Sequence, residues 1–197
     1  MKKLLLVCVL GLGLVVTGVF ADHPSGLGIG VLGRFGYGAG GGFGGGALSL
    51  KLPKIPIFWG VNAGIGTNFF SVGITGDNYL IDQTLTTIGG SVPFGWYLGL
   101  GGYFDFANWT WKDAYYWNGK WNNYSRTNLG LGVRVPIGID LQIPISTIKL
   151  EVFLEAALSL GLGIYLYDDS QYWKDNKGSS VGFEWGIPAS VGVRLWI

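Results

Sequence analysis

Residues 150–166 alternate without a break. Leu150, Val152, Leu154, Ala156, Leu158, Leu160, Leu162, Ile164 and Leu166 fall on one face, and Glu151, Phe153, Glu155, Ala157, Ser159, Gly161, Gly163 and Tyr165 on the other. A period of two is that of a β-strand, because successive side chains on a strand point to opposite faces. The run exceeds the roughly 5–6 residues of an ordinary strand. It suffices for the about 9–11 residues that a tilted strand needs to cross a hydrocarbon layer. One face is free of charge, while the other carries carboxylates, a hydroxyl and glycines. That is the pattern of a barrel wall with lipid outside and a polar lumen inside.

The same period predicts eight strands in all: residues 26–37, 47–52, 55–66, 69–81, 93–106, 127–141, 150–166 and 181–197. Outward positions are apolar throughout, for example Ile29 and Val31, Leu48 and Leu50, Leu129, Leu131 and Val133, or Val191, Val193 and Leu195. Gly76-Asp77-Asn78 is the least regular stretch and is read as the place for a bulge. Pro136 and Pro188 fall inside strands and mark bends or missing rungs, since proline has no N–H for the ladder. Pro53-Lys54 and Pro144-Ile145 give tight turns. Residues 38–46, 108–126 and 168–180 are read as the longer connections, and 81–92 as one longer than the scheme favours. An even count brings both ends of the mature chain to one side. The fold class expected is therefore all-β, a single eight-stranded antiparallel up-and-down transmembrane β-barrel over residues 22–197.

Residues 1–21 read as a signal peptide: Lys2 and Lys3, an apolar run over 4–20, and Val19-Phe20-Ala21 as a cleavage signature. Cutting after Ala21 removes the only Cys and the only Met, so no disulfide is expected. It leaves 11 Lys+Arg against 12 Asp+Glu, with no basic excess to attract nucleic acid. The remaining chain is rich in hydrophobic residues, yet it holds no apolar stretch of about 18 residues that would span as a helix. Closing a sheet on itself is the other way to leave no backbone group unpaired in lipid.

Ionisable residues recur on the inward face: Arg34, Arg134, Glu151, Glu155, Glu184 and Arg194. A turn around Pro144-Ile145 puts Arg134 level with Glu155. A shared rim puts Arg194 level with Glu151, and closure of the last strand on the first brings Glu184 toward Arg34. Charges in a narrow lumen cost several kcal/mol unless paired, so opposite signs at matched heights are expected. Two readings follow, a gate or selectivity cluster and a satisfied polar filling; eight strands leave room only for side chains or one small ligand. The inward glycines likewise either leave space for water or a slim ligand, or relieve crowding where strands bend. An arginine is expected to cost about 2–4 kcal/mol at outward Leu158 and much less electrostatically at inward Ser159, where the expected difficulty is a clash.

The connection over 108–126 interleaves Trp and Tyr with Asn and Lys. Trp109 and Trp111 are assigned to an aromatic girdle or wall extension. Tyr115, Tyr116, Trp117 and Trp121, with Trp173 in the 168–180 connection, are the surface-contact candidates, because amphipathic rings give contact area at low entropy cost. No metal-ligand spacing occurs and no cofactor is expected. The only histidine, His23, follows the cleavage point by two residues and is placed in a mobile end, so no Ser/His/Asp set assembles and the chain is read as non-enzymatic.

The opening 26–34 (Gly-Leu-Gly-Ile-Gly-Val-Leu-Gly-Arg), 97–104 (Tyr-Leu-Gly-Leu-Gly-Gly-Tyr-Phe), 134–138 (Arg-Val-Pro-Ile-Gly), 150–155 (Leu-Glu-Val-Phe-Leu-Glu) and the ending Val-Arg-Leu-Trp-Ile resemble small outer-membrane barrels of spirochaetes. Those in turn are similar to the eight-stranded OmpA- and OmpW-like families. Ile197 stands where such families end on an aromatic, with Trp196 beside it. The resemblance implies an integral outer-membrane protein, inserted by the barrel assembly machinery, with surface loops that meet host molecules; a monomer is expected. The expected function is structural and surface-interacting, the aromatic loops contacting a host or envelope macromolecule. The alternative is a narrow passive channel for small or apolar solutes. A soluble lipocalin-like calyx would require the apolar face to point inward.

Overall fold

The computed structural model describes residues 23–36, 45–117, 120–169 and 179–197. They form nine strands: β1 (Gly28–Phe35), β2 (Gly45–Lys51), β3 (Phe58–Gly66), β4 (Phe69–Ile88), β5 (Val92–Trp117), β6 (Lys120–Ile145), β7 (Ile148–Asp169), β8 (Ser179–Gly186) and β9 (Ala189–Trp196). Consecutive strands pair antiparallel from β1 to β7, and β9 pairs with both β7 and β1. The sheet thus closes into a barrel with eight staves. The last stave is broken into β8 and β9, both of which lie against β7.

The break falls at Ile187-Pro188. Pro188 has no N–H to give, but its carbonyl accepts from the Ala157 amide at 2.9 Å. Ala157 faces Pro136 on its other side, and beside Pro136 the β5–β6 ladder skips from Leu98↔Ile137 to Gly101↔Arg134. The two strand prolines therefore flank one buried alanine in a single row, where the wall tolerates missing rungs.

Three tight turns, the start of the described chain and Ile197 share one rim, here called the terminal rim. Lys54 (φ 65°), Gly89 and Gly90 (φ 61° and 73°) and Ser146 (φ 56°) supply the left-handed corners. Leu27 and Ile197 exchange two backbone hydrogen bonds of 3.0 and 2.9 Å. Strand β4 runs on to Ile88, so the connection read over 81–92 shrinks to residues 89–91. The bulges that accommodate this lie at Tyr79/Ile81 and Thr84/Thr86, a few residues beyond the Gly76-Asp77-Asn78 stretch.

The segment 108–126, expected as a loop, is also strand. The β4–β5 ladder ends at Phe69↔Trp109, whereas the β5–β6 ladder continues to Trp117↔Lys120. The sequence loses its apolar alternation there because a ribbon beyond the barrel needs no oily face. Ladder hydrogen bonds and the β-preference of Trp, Tyr and Thr carry it. Tyr115, Tyr116, Trp117 and Trp121 belong to this hairpin, with Tyr116 paired to Trp121 in register. In the 168–180 connection, β7 extends to Asp169 and β8 begins at Ser179; Trp173 and residues 1–21, read as a signal peptide, lie outside the described residues.

Facing follows the alternation. Val31, Leu48, Val61, Leu131, Leu162 and Val193 are exposed on the exterior, while Arg34, Ser49, Asp77, Arg134, Glu151 and Arg194 are buried within.

Candidate functional site

The lumen is built in layers, and the lowest, at the terminal rim, centres on His23. Its chain enters from outside the strands, and the side chain is buried between β4 and β7. Nδ1 lies 2.7 Å from Asp82 Oδ2 and Nε2 lies 3.3 Å from Glu151 Oε1. The His23 backbone N–H also donates to Asp82, at 3.0 Å. Phe58, Tyr79, Tyr97 and Trp196 surround the imidazole with ring centroids 5.4–6.0 Å away. Burial works against a charged imidazole. The hydrogen bonds the ring donates to Asp82 and Glu151, together with their negative charges, outweigh it and raise the pKa from 6.5 to about 9.

Glu151 is the hub of this layer. Arg194 Nη1 donates to both its oxygens at 2.8 Å, and Trp196 Nε1 donates at 2.6 Å. Arg194 also donates to Ser49 Oγ, and its guanidinium carbon stands 4.8 Å from the ring centres of Phe58 and Phe153. That geometry favours a cation against aromatic faces. Phe58, Tyr79 and Tyr97 form a stack with centroids 4.0 and 4.2 Å apart.

The middle layer centres on Arg134. Its Nη2 donates to Glu155 Oε1 at 2.6 Å, and its Nε lies 3.3 Å from Asp77 Oδ1 as a charge contact without hydrogen-bond alignment. The other Glu155 oxygen accepts from the phenols of Tyr97 (3.2 Å) and Tyr79 (3.4 Å). These two tyrosines therefore join the layers, their hydroxyls on Glu155 and their rings against His23. Arg34 donates to Asn62 Oδ1 at 3.3 Å. Toward the far rim, Glu184 accepts from Asn128 (2.7 Å) and Tyr165 (2.6 Å), and Arg126 stacks over Tyr165.

Register places Arg194 directly across from Glu151. Arg134 and Glu155 also meet, by a different route. The β6–β7 turn is centred on Ser146-Thr147 rather than Pro144-Ile145, so Arg134 faces Ser159 and Glu155 faces Gly138. The ion pair spans this four-residue offset because an arginine is long enough to lie along the strand. Glu184 and Arg34 are not level: Arg34 faces Ser190 in β9, and Glu184 faces Gly161 in β7, nearer the far rim.

Inward glycines provide the floor for large neighbours. The Tyr97 ring lies on Gly138, Tyr103 lies across Gly132 and Gly161, and Glu184 covers Gly163. The space they leave is occupied by side chains of the adjacent staves.

Sequence reasoning missed His23, Asp77, Asp82 and Asp140. His23 is buried in the lumen base and not in a mobile end. Three inward aspartates with no assigned counter-charge were the available signal. Both imidazole nitrogens face carboxylates, so His23 acts as a held cation with no nitrogen left to activate a nucleophile. Among the described residues, no three His, Cys, Asp or Glu side chains converge in a way that could hold a metal ion.

No protein-family model matches the chain, and comparison with curated proteins and with solved structures gives no match. Fold and interior define a closed antiparallel β-barrel with an ionic, side-chain-filled lumen base.

Proposed function

We propose that this chain is a non-enzymatic integral outer-membrane β-barrel. In this reading the barrel is a rigid, plugged wall, and the β5–β6 hairpin beyond it is a contact surface for a host or envelope macromolecule. The observation that carries the reading is the segregation of the wall. Apolar side chains such as Leu131 (64% exposed) cover the exterior, while Arg134 (1%) and Glu151 (0%) are sealed inside. A soluble protein rarely exposes so continuous an apolar surface, and a lipocalin-like calyx would need the reverse facing. The base of the lumen is filled by His23, Arg194 and the aromatic stack, which favours a structural and surface-interacting role over conduction.

Three measurements test this. The protein is expected in the outer-membrane fraction after export, retained through alkaline carbonate extraction, with a mature N-terminus at Asp22. In planar bilayers it is expected to give no steady single-channel steps. Deleting residues 115–121 is expected to abolish partner binding while the barrel stays folded. Steady steps abolished by blocking the lumen would favour the alternative, a narrow passive channel for small or apolar solutes. Recovery of the native protein in soluble form without detergent would overturn the membrane reading.

A further inference from the structure

The residues around His23 have the composition of a receptor for an organic cation. Two carboxylates, Asp82 and Glu151, accept from opposite edges of one flat ring, and four aromatic rings close around it. Aromatic boxes with carboxylates favour cations whose N–H groups point to the carboxylates and whose bodies rest against rings. All six box residues come from strands (β3, β4, β5, β7 and β9), whereas the cation comes from outside the sheet.

Among the described residues, His23 reaches the wall by its ring and its own backbone N–H, both directed at Asp82 or Glu151. The next backbone anchor is the Leu27–Ile197 exchange, four residues on. Pro24, Ser25 and Gly26 between them are half-buried or exposed. The cation is thus carried on a short tether, and the box that holds it is complete without the tether. Glu151 is also held by Arg194 and Trp196, through bonds that do not involve His23.

We infer that the terminal-rim end of the lumen is a binding box for a small, flat, N–H-donating organic cation, and that His23 occupies it as a tethered ligand, making residues 23–26 a displaceable plug. This goes beyond the proposed surface role and does not depend on what the hairpin meets. It would remain even if the hairpin had no partner.

The test uses the full mature barrel in detergent micelles, with imidazole at pH 6 as the probe cation. His23→Ala is expected to bind imidazole saturably by calorimetry, at least about tenfold more tightly than the wild type, whose box is filled. Adding Asp82→Asn to that variant is expected to weaken binding by about tenfold or more, the scale of one charge-assisted hydrogen bond. The probe 1,3-dimethylimidazolium, which carries the charge but no N–H, is expected to bind as weakly. If His23→Ala does not refold alone, refolding in imidazole is expected to restore it. In the wild type, a spin label at Ser25→Cys is expected to gain mobility as imidazole is added. A folded His23→Ala barrel that binds imidazole no better than the wild type, binding indifferent to Asp82→Asn, a variant that imidazole fails to rescue, or a label that never loosens would each overturn the inference.

Discussion

Arg194 and Glu151 stand directly opposite each other across the β7–β9 seam, one guanidinium nitrogen 2.8 Å from both carboxylate oxygens, with neither side chain more than 2% exposed. Strand alternation turns both inward and a shared rim sets them level, although they stand 43 residues apart in the chain. Removing one partner strands the other charge in a buried site, which costs about 3–5 kcal/mol. Arg194→Ala is expected to lower unfolding stability by that amount in urea titrations in micelles. Arg194→Met with Glu151→Leu is expected to cost less than the sum of the single changes, by about 0.5–3 kcal/mol of coupling. Simple additivity would mean that the two side chains act independently.

His23 makes stability pH-dependent in a defined window. Its folded pKa of about 9 lies above the unfolded 6.5, so the folded state binds the proton more tightly. The contribution is full below pH 6.5, falls as pH rises, and is lost once pH passes about 9. A difference of this size corresponds to about 3 kcal/mol. Wild-type stability is expected to decline between pH 6.5 and 9, and His23→Ala to remove that decline. A wild-type curve that rises across the window would contradict the sign.

How much of this was legible depends on which residues had periodic neighbours. Leu150 to Leu166 announced both strand and facing, because outward apolar and inward polar positions alternate at the period of the backbone. Lys120 to Arg126 did not, since a ribbon outside the barrel has no apolar side to display. The β6–β7 register differs by four residues from the expected one because Ser146, at φ 56°, makes the corner in place of Pro144. His23 was invisible to any pattern. It is a single residue on an irregular segment, and only the surplus of inward aspartates implied that a cation was missing.

The pairing of Tyr97 with Gly138 gives a packing test. Tyr97 is fully buried and its ring rests where a Gly138 side chain would start. The phenol is also tied to Glu155 and the ring to His23, so the tyrosine cannot move aside freely. Gly138→Ala is expected to cost about 1–3 kcal/mol through overpacking. Gly46→Ala, where an added Cβ meets nothing within 4 Å, is expected to change stability by less than about 0.5 kcal/mol. Equal effects at the two glycines would show that the lumen has slack.

Leu158 and Ser159 are neighbours on β7 with opposite surroundings, 44% and 0% exposed. Inserted in a bilayer, Leu158→Arg puts a cation into hydrocarbon near the middle of the stave, at a cost of about 2–4 kcal/mol; Leu158→Phe is expected to be nearly neutral. From sequence Ser159→Arg is milder in desolvation and open to a clash, and Ser159 faces Arg134 within a filled lumen. It therefore adds a like charge where there is no volume for one. The two arginines are separable by their dependence on the surroundings. The Leu158→Arg penalty is expected to shrink when the protein is moved from bilayer to detergent micelle, where the headgroup region lies closer. The Ser159→Arg penalty is internal and is expected to stay the same. Folding free energies of both variants in vesicles and in micelles decide the point, and a Leu158→Arg penalty unchanged between the two would remove the case for lipid outside this wall.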